Sequence, residues 1–147
     1  MDADFPQRPV IGLLLRLAYQ HYSQDIEAAL GDAGFGDIRP GAANVFPFVP
    51  PEGTTVSRLA ELARVRKQSM AQAVDQLERT GYVERRPNPH DQRSQLVFLT
   101  ERGKAVPVVT HAAADRVEQQ WAQLVSPVEF EALRGTLQRL LTELNNQ

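Results

Sequence analysis

The hydrophobic positions of the chain repeat with a helical period near both of its ends. Residues 10–30, 101–125 and 127–144 each place apolar side chains three and four positions apart, which predicts amphipathic helices. Pro107 falls in the second turn of the second segment, where it can bend the helix or delay its start. The third segment opens with Ser126-Pro127-Val128-Glu129, a strong helix start with an N-cap serine and a glutamate three residues later.

The middle of the chain predicts two short helices joined by a tight turn. Thr55 suits the N-cap of a helix over residues 56–64, and a second helix follows over residues 67–80. Gly81 can supply the left-handed residue that closes this second helix. A further short helix is expected earlier, over residues 40–45, and Pro47 should end or kink it. The two helices between 56 and 80 form a helix-turn-helix.

A small hairpin is predicted directly after the helix-turn-helix. Tyr82-Val83 suits a strand, Pro87-Asn88-Pro89 starts a turn, and residues 96–99 form a short apolar return strand. The basic residues on this hairpin are Arg85, Arg86 and Arg93. A helix-turn-helix followed by a basic hairpin is the plan of a winged helix, in which the hairpin reaches DNA phosphates or a minor groove.

Positive charge is concentrated in the segment that holds these elements. The whole chain carries a net charge of −2, which alone argues against DNA binding. Residues 58–104, however, hold ten Lys and Arg against six Asp and Glu, a net charge of +4, and the remainder carries −6. A basic middle between acidic ends is typical of a local polyanion site, although a solvated charged surface would give the same count.

Composition narrows the class of protein. The 147 residues suffice for one domain or two small ones. The absence of cysteine excludes disulfides, thiolate zinc sites and a cysteine redox switch. No apolar run approaches the ~20 residues that cross a bilayer, and the acidic start, residues 1–4, is unlike a secretory signal. We therefore expect a cytoplasmic protein that does not associate with membranes.

No motif for catalysis, a cofactor or a metal stands out, so we expect neither an enzyme nor a bound cofactor. The glycines of residues 31–36 follow a helix and lack the spacing of a dinucleotide fingerprint. No nucleophile elbow, zinc-protease motif or phosphate-cradling loop with lysine occurs. His111 and Asp115 are four residues apart and can share a helix face, but such a pair does not make a metal site.

The start of the 67–80 helix carries polar residues that are candidates for reading DNA bases. Glutamine can pair with adenine through two hydrogen bonds, and lysine can donate to guanine. A helix N-terminus also favours phosphate. The alternative is an ordinary polar helix surface. The candidates are Lys67, Gln68, Ser69 and Gln72.

Arg93, beside the hairpin tip, is the candidate for a minor-groove contact, because a narrow A·T-rich groove has the strongest negative potential. Asp91 is expected to orient Arg93 through an ion pair. The alternative is an exposed turn pair that contributes under ~1 kcal/mol. Arg86 is expected to contact phosphate and Arg85 to point the other way, since neighbouring strand residues alternate faces.

The terminal helices carry broad apolar stripes, whereas the middle segment already has its own core. Stripes without a surface to cover usually meet another subunit, which predicts a homodimer. The alternative is that the terminal helices pack only on each other within a monomer. Trp121 is expected to lie in the core or the dimer interface and not in a ligand site. His21 is more readily an interface histidine than a ligand-binding one.

These residues resemble the MarR family of bacterial transcriptional regulators. The resemblance rests on Asp91-x-Arg93 in the hairpin and on Leu99-Thr100-x-x-Gly103 at the start of the long helix, and the order of helices matches over essentially the whole chain. It implies a mainly α fold with a small two- to three-stranded antiparallel wing. Residues 37–100 would form the winged helix-turn-helix DNA-binding domain, and residues 1–36 and 101–147 a helical dimerisation region.

The resemblance also implies a function. Such proteins bind pseudo-palindromic operators in double-stranded DNA as homodimers, often as repressors, with the recognition helix in the major groove and the wing arginine in the adjacent minor groove. Many are released by small aromatic or anionic effectors, held near the position of His21. A winged-helix module that binds proteins and has lost DNA binding is the alternative, and an enzyme that uses a cleft between helices is a third.

Three positions depart from the family pattern. Where the family often has glycine and a capping Ser, Thr or Asp, this chain has Arg64 and Arg66. The second helix of the helix-turn-helix then lacks a good cap, the turn can differ, and the two extra cations can touch phosphate. Pro47 is also unusual within the second helix of the chain, the short helix expected from residue 40, and puts the usual ligand pocket in question.

Overall fold

A computed structural model describes residues 7–147, within which the chain forms five α-helices and one antiparallel pair of strands. The acidic residues 1–4 and the start of the 1–36 region lie outside this description. In chain order the elements are α1 (Ile11–Asp32), two 3₁₀ helices (Pro40–Asn44 and Phe46–Phe48), α2 (Val56–Ala63), α3 (Lys67–Arg79), β1 (Val83–Asn88), β2 (Asp91–Leu99), α4 (Glu101–Val125) and α5 (Pro127–Asn145). The predicted mainly helical architecture with a small wing is confirmed.

Two predicted elements differ from the structure. The helix expected over residues 40–45 is a 3₁₀ helix followed by a second 3₁₀ turn, because Pro47 has no N–H with which to continue an α-helical ladder. The return strand begins at Asp91, well before residue 96, and Tyr82 precedes β1. Thr54 and Val97 exchange two backbone hydrogen bonds of 3.1 and 2.7 Å, which adds a third strand position to the wing.

The hydrophobic core lies beneath α3 and reaches the first turns of α4. The inward face of α3 consists of Met70, Val74 and Leu77, as its apolar spacing predicts, and all three side chains are buried. The Tyr82 ring is fully buried beside them and meets the rings of Phe35 and Phe46 edge to face, each at 5.9 Å. The recognition helix of the helix-turn-helix is therefore fixed from below by closely packed side chains.

Glycine closes α3 as predicted, and arginine takes the equivalent position in α2. Gly81 has a φ of +84°, and Tyr82 N–H donates to the Leu77 carbonyl at 2.8 Å. At the end of α2, Arg64 has a φ of +55°, and Val65 N–H donates to the Ala60 carbonyl at 3.1 Å. Both ends are Schellman motifs. The turn between α2 and α3 thus keeps its shape without glycine, at a cost in backbone strain.

We expect Arg64→Gly to raise the free energy of unfolding by about 1 kcal/mol. A left-handed conformation costs a non-glycine residue about 1–2 kcal/mol, and the greater chain entropy of unfolded glycine offsets part of the gain. Thermal unfolding at fixed protein concentration measures the change, with a rise in Tm of about 2–4 °C. Arg64→Ala is the control, because it also removes the contact between Arg64 and the Asn145 side chain. Equal stability of the two variants would contradict the expectation.

Helices α1 and α5 pack against α4 as a helical layer, which meets the core through Leu30 and Val106. The Thr100 hydroxyl caps α4 and the Ser126 hydroxyl caps α5, each accepting a backbone N–H at 3.1 Å, as predicted for Ser126. Helix α4 runs through Pro107 without interruption. Arg134 of α5 pairs with Glu118 of α4 at 2.7 Å. No helix within residues 7–147 combines the length and apolar character needed to cross a membrane.

Large apolar side chains remain exposed on this layer. Helix α5 buries none of its side chains, whereas α4 buries Val106, Ala113 and Val117. The exposed set on α1 and α5 and at the end of α4 comprises Ile11, Leu14, Leu15, Tyr19, Leu124, Val125, Val128, Leu133, Leu140, Leu141 and Leu144. The apolar stripes predicted at both ends are therefore covered only in part within residues 7–147, and the uncovered part lies on α1, α5 and the end of α4.

Candidate nucleic-acid interface

An irregularity in the wing ladder presents Arg93 to solvent. Pro87 pairs with Gln95, but its neighbour Asn88 pairs with Asp91, so residues 92–94 have no partner on β1. The Asn88 side-chain amide donates to the Ser94 hydroxyl at 2.9 Å and closes this three-residue bulge. Bulges of this kind re-aim side chains. The bulge holds Arg93 at the wing tip with its side chain exposed.

The predicted ion pair between Asp91 and Arg93 is wrong. The Asp91 carboxylate instead accepts the backbone N–H of Arg93 at 2.9 Å. Aspartate prefers this local bond because it reaches the amide two residues on without ordering a long side chain. Asp91 therefore shapes the backbone of the bulge, and within residues 7–147 the Arg93 guanidinium has no ion pair.

Arg85 and Arg86 have different surroundings, as their neighbouring positions on a strand predict. Arg85 turns back to α3 and pairs with Asp75 at 2.7 Å and Glu78 at 2.9 Å. Burial opposes the charged form of Arg85, but the hydrogen bonds to these two carboxylates outweigh it and raise the pKa of the guanidinium. Arg86 lies over the Phe98 ring, 4.2 Å from its centre, and pairs with Glu84. Arg86 is exposed, with its charge partly compensated.

The exposed start of α3 carries the predicted polar residues. Arg66 occupies the N-cap position, and its side chain makes no capping bond, as its departure from Ser, Thr or Asp predicts. The first turn of α3 holds no acidic residue. The following side chains on the solvent face are all exposed: Lys67, Gln68, Ser69 and Gln72. This end of α3 is positive and rich in hydrogen-bonding groups.

The ion pairs divide the ten basic residues of the 58–104 segment into two equal sets. Five pair with carboxylates, namely Arg58, Arg85, Arg86, Arg102 and Lys104. The other five have no ion pair within residues 7–147, namely Arg64, Arg66, Lys67, Arg79 and Arg93. All the acids of this segment except Asp91 are used in these pairs. The uncompensated positive charge therefore lies at the ends of α3, in the turn before it and at the wing tip.

The segment between α3 and the wing is held by side chains that sequence patterns did not single out. Tyr82 O–H donates to the Asp37 carboxylate, and Arg102 pairs with the same carboxylate at 3.3 Å. Burial, followed by the bond to Asp37, raises the pKa of Tyr82 to about 12. The bond from Tyr82 lowers the pKa of Asp37, and the Arg102 charge acts in the same direction. Tyr82 and Arg102 follow Asp37 by 45 and 65 positions, and no local sequence signal links residues so far apart.

His21 lies away from these elements, on α1. Its exposed side chain lines an open, mostly apolar cleft of about 470 Å³ between α1, α4 and α5, together with Trp121, Phe130 and Leu133. Tyr22 on the same helix meets Trp121 edge to face at 6.1 Å. No cluster of three or more His, Asp or Glu suited to a metal ion occurs within residues 7–147, and His111 and Asp115 belong to none.

Comparisons with known proteins agree with this geometry. The sequence profile of the MarR family matches residues 49–94. A curated relative, the uncharacterized HTH-type transcriptional regulator YdcH of Bacillus subtilis, is 26% identical over 132 residues, 88% of each chain. A crystal structure of a probable transcriptional regulator from Pseudomonas aeruginosa is 29% identical and covers 88% of this chain and 96% of its own, with a TM-score of 0.72. Wild-type MarR from E. coli, 24% identical, shares the fold over 92% of this chain and 99% of its own, with a TM-score of 0.75. The chain belongs to the MarR family of winged-helix, DNA-binding transcription regulators.

Proposed function

We propose that the chain acts in the cytoplasm as a homodimer that binds a pseudo-palindromic operator and represses transcription. The observation that carries this proposal is the placement of the uncompensated cations at the start of α3 and at the wing tip. These are the two elements that a winged helix-turn-helix inserts into adjacent grooves. Residues 37–100 would bind DNA, and residues 1–36 and 101–147 would join the two subunits.

Each proposed contact has its own task. Lys67, Gln68, Ser69 and Gln72 would read base edges in the major groove. Arg66 and Arg86 would contact phosphate, and Arg86 would exchange Glu84 for it. Arg93 would enter the minor groove, and Asp91 would hold the bulge that presents it.

The exposed apolar side chains of α1 and α5 support the dimer. Leaving so many large apolar groups in water is unfavourable by about 25 cal/mol per Å² of apolar surface, and a second copy of the same surface removes it. Two copies would present their recognition helices to half-sites about 34–36 Å apart, one helical turn of DNA.

The cleft beside His21 supports release by a small aromatic effector, because aromatic and aliphatic side chains line most of it. An anionic effector is the other possibility, since the His21 imidazole can donate a hydrogen bond to an anion at the edge of this cleft. A winged-helix module that binds proteins without DNA is the alternative function, and the free cations of α3 and the wing argue against it.

Selection of binding sites from randomised duplexes, followed by titration of the selected operator, tests this proposal. We expect two chains per operator, at least about 1,000-fold preference over random DNA, and an affinity that falls steeply with salt because bound counterions are released. A flat salt dependence, or binding by single chains, would contradict the proposal. Absence of any duplex binding would favour the protein-interaction module.

A further inference from the structure

Three residues, Thr80, Gly81 and Tyr82, join the recognition helix to the wing. Local bonds to the last turn of α3 close the helix at this joint, and groups from distant parts of the chain hold it further. Thr100, at the other end of the wing, donates its backbone N–H to the Tyr82 carbonyl at 3.0 Å and its hydroxyl to the Gly81 carbonyl at 2.6 Å. The direction in which the chain leaves α3 for the wing is therefore fixed in part by a residue outside both elements.

Asp37 makes three connections around the joint. It lies in the loop between α1 and the first 3₁₀ helix, 45 residues before Tyr82. Its carboxylate accepts the Tyr82 hydroxyl and the Arg102 guanidinium, and its backbone carbonyl accepts the side-chain amide of Gln76 at 3.0 Å. One residue thus ties together the last turns of α3, the base of the wing and the start of α4.

Arg102 completes the arrangement from the opposite side. Its guanidinium stacks on the Tyr82 ring, 4.2 Å from the centre, and donates to the Thr80 carbonyl as well as to Asp37. The Asp37 carboxylate fixes the guanidinium in this position, since a planar fork needs an acceptor to hold its orientation. Removing the carboxylate leaves Arg102 with only the Thr80 carbonyl and the Tyr82 ring to hold it, and leaves the Tyr82 hydroxyl without its acceptor.

We propose that Asp37 is a positioning residue for operator recognition, which sets the angle between the recognition helix and the wing. This inference rests on the proposed function. Specific binding needs α3 in the major groove and Arg93 in the adjacent minor groove at the same time, so it depends on that angle. Non-specific binding depends on charge near phosphates and tolerates a range of angles. Asp37 itself touches no DNA in this scheme.

The test compares operator and random-duplex affinities of the full chain. Tyr82→Phe removes the hydroxyl bonded to Asp37 and keeps the buried ring, and Asp37→Ala removes the carboxylate. We expect Asp37→Ala to lower operator affinity about tenfold or more, as for the loss of hydrogen bonds to a charged group. Tyr82→Phe should lower it less, about threefold, because Asp37 then still holds Arg102. Both variants keep wild-type affinity for random duplex. Asp32→Ala, an exposed acid at the end of α1 without an ion pair in the described part of the chain, is the matched control and keeps both affinities.

Footprinting supplies a readout that a general loss of folded protein would not move. In the Asp37→Ala variant the wing should protect the minor groove less well against hydroxyl-radical cleavage. Protection of guanine N7 in the major groove against methylation should remain. Asp37→Asn, which keeps an acceptor for the Tyr82 hydroxyl, restores part of the operator affinity.

Equal losses of operator and random-duplex affinity, or an unchanged operator affinity, would overturn the inference. Should Asp37→Ala fail to fold, Tyr82→Phe decides between the same outcomes. A wild-type chain without preference for any selected operator would instead refute the proposed function itself.

Discussion

Arg93→Ala is expected to lower operator affinity by about 10- to 100-fold while leaving the fold unchanged. The guanidinium stands at the tip of the wing bulge, exposed and without an ion pair in the described residues, so its removal breaks no ion pair there. A single well-placed arginine contact to DNA contributes about 1–3 kcal/mol, which corresponds to this range. Gel-shift titration of the selected operator measures the loss, and thermal unfolding verifies that stability is retained.

Two further variants separate the shape of the Arg93 side chain from its charge. Arg93→Lys keeps the charge but removes the planar guanidinium. This variant should therefore show the salt dependence of the wild type but only part of its preference for the operator. Arg116→Ala removes an exposed arginine of α4, far along the chain from the wing, and should keep operator affinity. Equal effects of Arg93→Ala and Arg116→Ala would show that net charge, rather than a minor-groove contact, governs binding.

Gly103→Ala is expected to lower the free energy of unfolding by about 3 kcal/mol or more, the upper end of the range for overpacking. A Cβ at this position in the first turn of α4 would lie 2.0 Å from the Tyr82 backbone carbonyl oxygen and 3.4 Å from the Leu99 Cβ. That oxygen accepts the Thr100 N–H and belongs to a fully buried residue, so it has little freedom to move. The helix-propensity gain of about 1 kcal/mol for alanine over glycine does not offset the clash.

Gly31→Ala is the matched control for this substitution. Gly31 is also helical, and nothing lies within 4 Å of a Cβ built on it, so the variant should be as stable as the wild type or slightly more stable. Chemical unfolding of both variants at equal protein concentration measures the difference. A Gly103→Ala variant of wild-type stability would show that α4 can shift away from the wing base. The close approach of the Tyr82 carbonyl oxygen explains why residue 103 of the Leu99-Thr100-x-x-Gly103 motif is glycine.

Local rules predicted most of the fold. Caps at Thr55 and Ser126 and the closing glycine at residue 81 fix helix ends through bonds within three to five residues, so the printed sequence suffices to place them. The 3₁₀ character of residues 40–48 was not predicted, because their apolar residues are spaced as in an α-helix. Pro40 and Pro47 have no backbone N–H to donate to α-helical hydrogen bonds.

The interface could be predicted in part. The exposed polar positions at the start of α3 follow from helical spacing, whereas the partners of the arginines do not. Arg85 and Arg86 are adjacent in sequence, yet one binds carboxylates of α3 and the other stacks on Phe98. Asp37 meets Tyr82 only because the loop after α1 folds back beneath the wing. Such pairings depend on tertiary packing, and charge patterns along the chain do not contain them.

The Arg85 bridge has a consequence for the DNA partner. Because Arg85 pairs with Asp75 and Glu78, in addition to the bonds that Asp37 makes, the wing and α3 would meet a duplex as one rigid unit. In the proposed complex the duplex would then make the adjustment, by local bending and by changing the width of its minor groove. Base-pair steps that no side chain touches, flexible pyrimidine–purine steps above all, would on this view help to determine which sequences fit.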